Sequence, residues 1–152
     1  MMSAMPPTIH ASAVLAGARA VLILGPSGAG KSRLAVALLE AAQAGLLGFA
    51  RLVADDRVSI EAAGGRLLAR PAPALAGLIE VRGLGVRRVP YEPVAVVGFV
   101  LELMAEVGSR LPTQASREIE IAGIRLPRLA VAAGAEPLPL LLAYLHTEEG
   151  IS

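Results

Sequence analysis

The chain has 152 residues and a formal net charge of +1, with 55% apolar residues, 3% aromatics and no cysteine. That length fits one compact domain with an ordinary core, and the missing cysteines exclude disulfides and cysteine-based zinc sites, in keeping with a cytoplasmic protein. The near-neutral charge, short basic runs and scarce aromatic rings leave no track for nucleic acid, and no uncharged apolar stretch approaches the roughly 20 residues of a membrane span.

The first 18 residues are uncharged, but Pro6, Pro7, Thr8 and His10 interrupt them and no cationic segment precedes them. Neither a signal peptide nor an anchor is expected there. Residues 9–15 predict a short strand, 17–19 a turn, and 20–24, Ala-Val-Leu-Ile-Leu, a fully apolar strand. A glycine-rich loop over 25–30 follows. Over 31–44, Leu34, Leu38 and Leu39 recur at helical spacing among good helix formers, and Gly45 and Gly48 end the pattern. Residues 49–54 read as a second apolar strand that runs into Asp55 and Asp56. Segments 58–62 and 66–69 flank Gly64-Gly65 and predict a hairpin. A Pro/Ala-rich connection over 71–77 leads to 78–86, an apolar segment that contains an acid, an arginine and two glycines. Residues 94–103 predict a buried strand, 117–121 a strand with one wet face, and 138–145 a short helix. No repeat or linker divides the chain, so a single domain over 1–152 is expected.

The chemistry concentrates in the loop. Gly25, Pro26, Ser27, Gly28, Ala29, Gly30, Lys31 and Ser32 form the Gly-x-x-x-x-Gly-Lys-Ser pattern of a Walker A loop. Its glycines let successive backbone N–H groups turn toward phosphate oxygens, and the following helix offers its positive end to the same anion. Lys31 is the only lysine of the chain; the other 13 basic residues are arginine. An arginine cannot replace the compact ammonium in such a loop. In this pattern the lysine reaches the β- and γ-phosphates and the serine hydroxyl serves Mg²⁺. The plain alternative is a glycine-rich strand-to-helix turn with no ligand; the placing of the sole lysine at the pattern's own lysine position favours the phosphate loop over it.

Asp55 and Asp56 are the only aspartates. An acid at the end of a neighbouring strand helps hold Mg²⁺ in P-loop enzymes. Two adjacent carboxylates can divide the work, one managing the metal and one taking the proton of an attacking hydroxyl. A turn or cap built on aspartate is the structural alternative. Glu80 and Arg82, two apart, would share a face on a strand. Glu80 can ligate a metal and Arg82 can stabilise charge on a transferring phosphoryl group. By residue chemistry alone, a solvated ion pair is the commoner use of such a pair.

The run Leu78-Ile-Glu-Val-Arg-Gly-Leu-Gly85 resembles the signature of the HPr kinase/phosphorylase family. The Gly-x-Ser-Gly opening of the loop, the Leu-Val-Ala-Asp-Asp block at 52–56 and His10 fifteen residues before the loop agree with it, in the family's order from about 8 to 89. The resemblance implies an α/β P-loop kinase domain similar to the phosphoenolpyruvate carboxykinase-like fold, a sheet with flanking helices. It implies ATP- and Mg²⁺-dependent phosphorylation of a serine on the phosphocarrier HPr, and removal of that phosphate with inorganic phosphate as acceptor. Carried onto this chain, Lys31 and its loop bind ATP, Ser32 and Glu80 hold Mg²⁺, and the aspartate pair supplies the base, with Asp56 preferred. His10 and Arg82 join the active site. Arg110, and Arg128 in a Pro-x-Arg-like loop with Pro127, are the counterparts of the family's later arginines. The last third departs from long members, whose separate N-terminal domain and docking helices have no counterpart, so the chain resembles the short single-domain form. A cytoplasmic homo-oligomer, often a hexamer, is the family expectation. A small-molecule P-loop kinase and a non-catalytic ATP-sensing module are the alternatives.

Overall fold

The computed structural model describes residues 7–106, 117–148 and 150. At its centre β3 (Arg19–Leu24) and β9 (Ala95–Ala105) run parallel, with Ala20 opposite Val97 and Leu24 opposite Glu102. Both are nearly continuous apolar runs, the pattern of strands covered on both faces. β2 (Ser12–Ala16) pairs antiparallel with β3, and β4 (Ala50–Ala54) pairs antiparallel with β2 at the edge. The other edge of β9 is shared. Its first residues pair with β6 (Arg66–Pro71), and its last with β11 (Ile124–Ala132), which runs parallel to it. Beyond β6 lie β5 (Arg57–Ala63) and then β1 (Thr8–His10); beyond β11 lies β10 (Glu118–Ile121). These nine strands form one sheet, while β7 (Leu78–Val81) and β8 (Gly85–Arg88) form a separate hairpin.

Period-two alternation sorts the apolar side chains of β3 into two cores. Val21 and Ile23 meet Leu34, Leu38 and Ala41 of α1 (Lys31–Gln43) and Leu141 of α2 (Pro137–His146). Ala20 and Leu22 face the opposite side, where Val53, Val58, Leu67 and Val100 fill a core built from strands. Both helices therefore cover one face of the sheet, and on the other face the sheet closes over itself. Among the described residues no helix is long and apolar enough to cross a membrane.

Gly98 lets β9 change faces. The pairing with β3 shifts between Ala20 and Val21, so Val97 belongs to the strand-built core and Phe99 to the helical one. A Cβ on Gly98 would lie 2.8 Å from Cβ of Arg19. Both atoms sit directly on backbone, so the central strands must part to admit it. Gly98→Ala is expected to lower the unfolding free energy by about 1–3 kcal/mol, the range for overpacking. Urea denaturation checks this; an unchanged midpoint would contradict the packing described.

Three sequence expectations change. The strand over 9–15 is two strands, because Ala11 donates its N–H to the Asp56 carbonyl at 3.2 Å and the flanking residues pair with different neighbours. The segment around Pro127 and Arg128, expected as a loop, lies inside β11, where Pro127 sits opposite Glu118 and Arg128 opposite Val100. The apolar segment over 78–86 is a hairpin, closed by a hydrogen bond from Leu84 N–H to Val81 O at 2.9 Å.

Candidate active site

The loop starts where β3 ends. Gly28 and Gly30 hold φ of 82° and 102°, left-handed values that a side chain resists. Gly30 caps α1, and no side chain caps the helix there. The first-turn N–H groups of α1 thus face the loop mouth, which makes the helix start a ready anion site. Lys31 is 8% exposed, and its ammonium donates to the carbonyls of Gly25 at 2.8 Å and Pro26 at 3.1 Å. An ammonium carries three N–H donors, so these two bonds tie the loop's entry together and leave one donor for a phosphate.

Asp55 is the hub. It stands just after β4 and is 5% exposed. Its carboxylate accepts from the Ser32 hydroxyl, 2.8 Å from both oxygens, from the Ser12 hydroxyl at 2.6 Å and from the Glu80 N–H at 3.2 Å. Burying a carboxylate is costly unless donors replace water. These donors come from β2, α1 and β7, so one side chain fixes three elements around the loop.

Asp56 does the opposite. Its φ is 69°, and Arg57 N–H donates across it to the Asp55 carbonyl at 2.8 Å. A positive φ spanned by an i to i+2 bond is a γ-turn of the rare, strained kind, and such strain gathers at functional sites. The turn throws the Asp56 side chain, 61% exposed, toward His10, with Oδ1 3.7 Å from Nε2. His10 reaches this place because β1 pairs with β5 in a register that sets His10 opposite Arg57.

One cleft of about 510 Å³ is lined by His10, Ser12, Asp56, Glu80, Arg82 and the loop residues Ser27, Gly28, Gly30, Lys31 and Ser32. Arg82 follows β7 in the hairpin turn rather than lying on the strand with Glu80. Arg33, Val36, Ala37 and Glu40 extend the wall along α1. The metal donors at hand, the Ser32 hydroxyl and the Asp55 and Glu80 carboxylates, are all hard oxygens, which suits Mg²⁺. Among the described residues no three His, Cys, Asp or Glu side chains cluster as a cage. Mg²⁺ needs none, since it is commonly held by one or two carboxylates together with substrate phosphates and water.

The sequence-predicted residues therefore converge, with two exceptions. Arg128 pairs with Glu102 of β9, its Nε 2.6 Å from Oε2, and stands apart from the cleft. Arg110 lies outside the described residues. Sequence reasoning passed over Ser12, Arg33 and Glu40. Ser12 had one signal: a hydroxyl inside an apolar strand needs a partner when buried.

The family profile for the HPr Serine kinase C-terminal domain matches residues 4–91. The chain belongs to that family. The matched span holds His10, the loop, both aspartates, Glu80 and Arg82. The HPr kinase/phosphorylase of Clostridium tetani is 41% identical over 70 residues, which cover 46% of this chain and 21% of that protein. The HPr kinase/phosphorylase of Streptococcus gordonii is 38% identical over 123 residues, covering 73% of this chain and 37% of that protein. The chain thus spans well under half the length of these relatives. Its fold is similar to the solved HPr(Ser) kinase/phosphatase from Coxiella burnetii, with a TM-score of 0.71 at 25% identity over 91% of this chain and 93% of that one.

Proposed function

We propose that this domain transfers the γ-phosphoryl group of ATP to a serine of an HPr-like phosphocarrier protein, with Mg²⁺. The observation that carries the reading is the division of the adjacent aspartates: Asp55 is buried against Ser32 while Asp56 stands open beside His10 in the same cleft. The loop amides and the start of α1 receive the phosphate chain, and the third donor of Lys31 reaches its outer oxygens. Ser32 and Glu80 hold Mg²⁺ with Asp55 behind them; the ion neutralises charge on the phosphate oxygens. Asp56 accepts the proton of the attacking serine hydroxyl, with His10 orienting the carboxylate. Arg82 faces the charge of the group in flight.

The same parts run backwards. Inorganic phosphate attacks the phosphoserine phosphorus, the bond to the serine oxygen breaks, Asp56 returns a proton to that oxygen, and pyrophosphate leaves. The domain acts as a cytoplasmic homo-oligomer, in line with the family resemblance.

Incubation with a purified HPr-like protein, ATP and Mg²⁺, followed by tandem mass spectrometry, tests the reading. One phosphoserine is expected on the partner, and chelating the metal is expected to abolish it. ATP turnover directed only to a small metabolite would favour a small-molecule kinase instead. Tight ATP binding with no transfer would make the domain a sensor.

A further inference from the structure

Among the described residues three polar or charged side chains are buried: Ser12, Lys31 and Asp55. Lys31 and Asp55 already have work in the site. Ser12, 0% exposed, opens β2 and sits opposite Ile23 of β3, ahead of the buried Ala13 and Val14. For packing alone an alanine would serve there without a hydroxyl to satisfy.

We propose that Ser12 is a positioning residue whose hydroxyl keeps the two aspartates in their separate orientations, Asp55 toward Ser32 and Asp56 toward His10. The proposal rests on the kinase reading above. The hydroxyl donates to Asp55 Oδ1 at 2.6 Å, short as expected for a bond to a carboxylate. The Ser12 hydroxyl oxygen in turn accepts the Asp56 N–H at 3.5 Å, a long and weak contact that adds direction more than strength. Ala11 N–H, one residue earlier, binds the Asp56 carbonyl at 3.2 Å. Residues 11 and 12 thus grip the strained turn from both sides of its central peptide units. Without the Ser12 hydroxyl, Asp55 keeps only Ser32 and the Glu80 N–H, and Asp56 keeps its carbonyl bond to Ala11 and its contact with His10 but loses the hold on its N–H. The Asp55 carboxylate can then rotate and the turn that aims Asp56 loosens, and misplacement of a reacting group by about 1 Å costs about a hundredfold in rate.

The test compares Ser12→Ala and Ser12→Thr in the full chain. Ser12→Ala is expected to lower kcat for serine phosphorylation by about tenfold to a hundredfold. Its KM for ATP and its affinity for a fluorescent ATP analogue should stay near wild type, because the loop is untouched. Ser12→Thr, which keeps the hydroxyl, should recover most of kcat. Wild-type kcat in Ser12→Ala would overturn the proposal. So would a loss confined to KM, or equal impairment of both variants with native melting temperatures. A second measurement does not depend on turnover: melting temperatures of Ser12→Ala, Asp55→Ala and the double variant, since alanine leaves no group at position 55 for the Ser12 hydroxyl to bond. The two losses are expected to overlap, since both variants break one bond; strict addition would overturn the proposal. If the wild type phosphorylates no HPr-like phosphocarrier protein at all, the kinase reading fails by itself, and the melting cycle still decides the Ser12–Asp55 link.

Discussion

Lys31→Ala is expected to cut phosphoryl transfer by at least about a hundredfold to a thousandfold, the scale for losing one preorganised donor to transition-state charge. The side chain has two tasks. It ties the carbonyls of Gly25 and Pro26 together, which shapes the loop entry, and on the proposed reading it offers its compact positive charge to the phosphate oxygens. Alanine removes both, so nucleotide affinity and kcat should fall together. Lys31→Arg should not rescue. The planar guanidinium is wider than an ammonium and cannot place donors on two loop carbonyls and a phosphate from this buried position. The fold should survive, because the apolar contacts of α1 come from Leu34, Ala35, Leu38 and Ala41. Initial rates with labelled ATP, next to circular dichroism melts, check this. Full activity in Lys31→Ala would remove the basis for placing the nucleotide here.

The second large effect separates the aspartates. Asp56→Asn is expected to lower transfer by about 10²–10⁴, the contribution of a positioned general base, and to leave nucleotide binding near wild type. Its side chain is mostly exposed and makes no bond within the loop. Asp55→Asn should behave differently. The Asp55 carboxylate accepts from two hydroxyls and one backbone N–H. An asparagine offers one acceptor oxygen and turns two donors toward that set. The hydroxyls of Ser12 and Ser32 can rotate to accept, but the Glu80 N–H cannot. Asp55→Asn should therefore lose thermal stability and Mg²⁺-dependent nucleotide affinity as well as rate. Equal behaviour of the two variants in binding and melting would contradict the division.

How much of this was legible in the sequence depends on the range of each signal. The phosphate loop is contiguous, and its strand and helix neighbours carry their own periodic patterns, so it could be read in place. The hairpin at Gly64-Gly65 was readable for the same reason. Arg82 was not, because a period-two reading assumes the strand continues, whereas Gly83 and Gly85 turn the chain; a hairpin was available in those glycines. β11 was hidden by Pro127, a residue that argues against a strand interior. The bulge at Gly98 depends on a register with β3 that no local pattern announces. Ser12 is the sharpest case. Its partner lies 43 residues away, and only the meeting of β2 with the end of β4 turns an ordinary serine into part of the site. The separation of Asp55 from Asp56 likewise lies in one backbone angle, while their sequence adjacency suggested only that the roles could divide.

The central claim is that this cleft moves phosphate from ATP onto a protein serine. The most direct measurement is a time course of label from γ-labelled ATP into a purified HPr-like protein, with the wild-type chain and Mg²⁺, beside the same partner lacking its acceptor serine. Labelled phosphoserine is expected to accumulate in proportion to the amount of chain added and to vanish with the altered partner. Saturable ATP binding with no label on the partner protein would contradict the account.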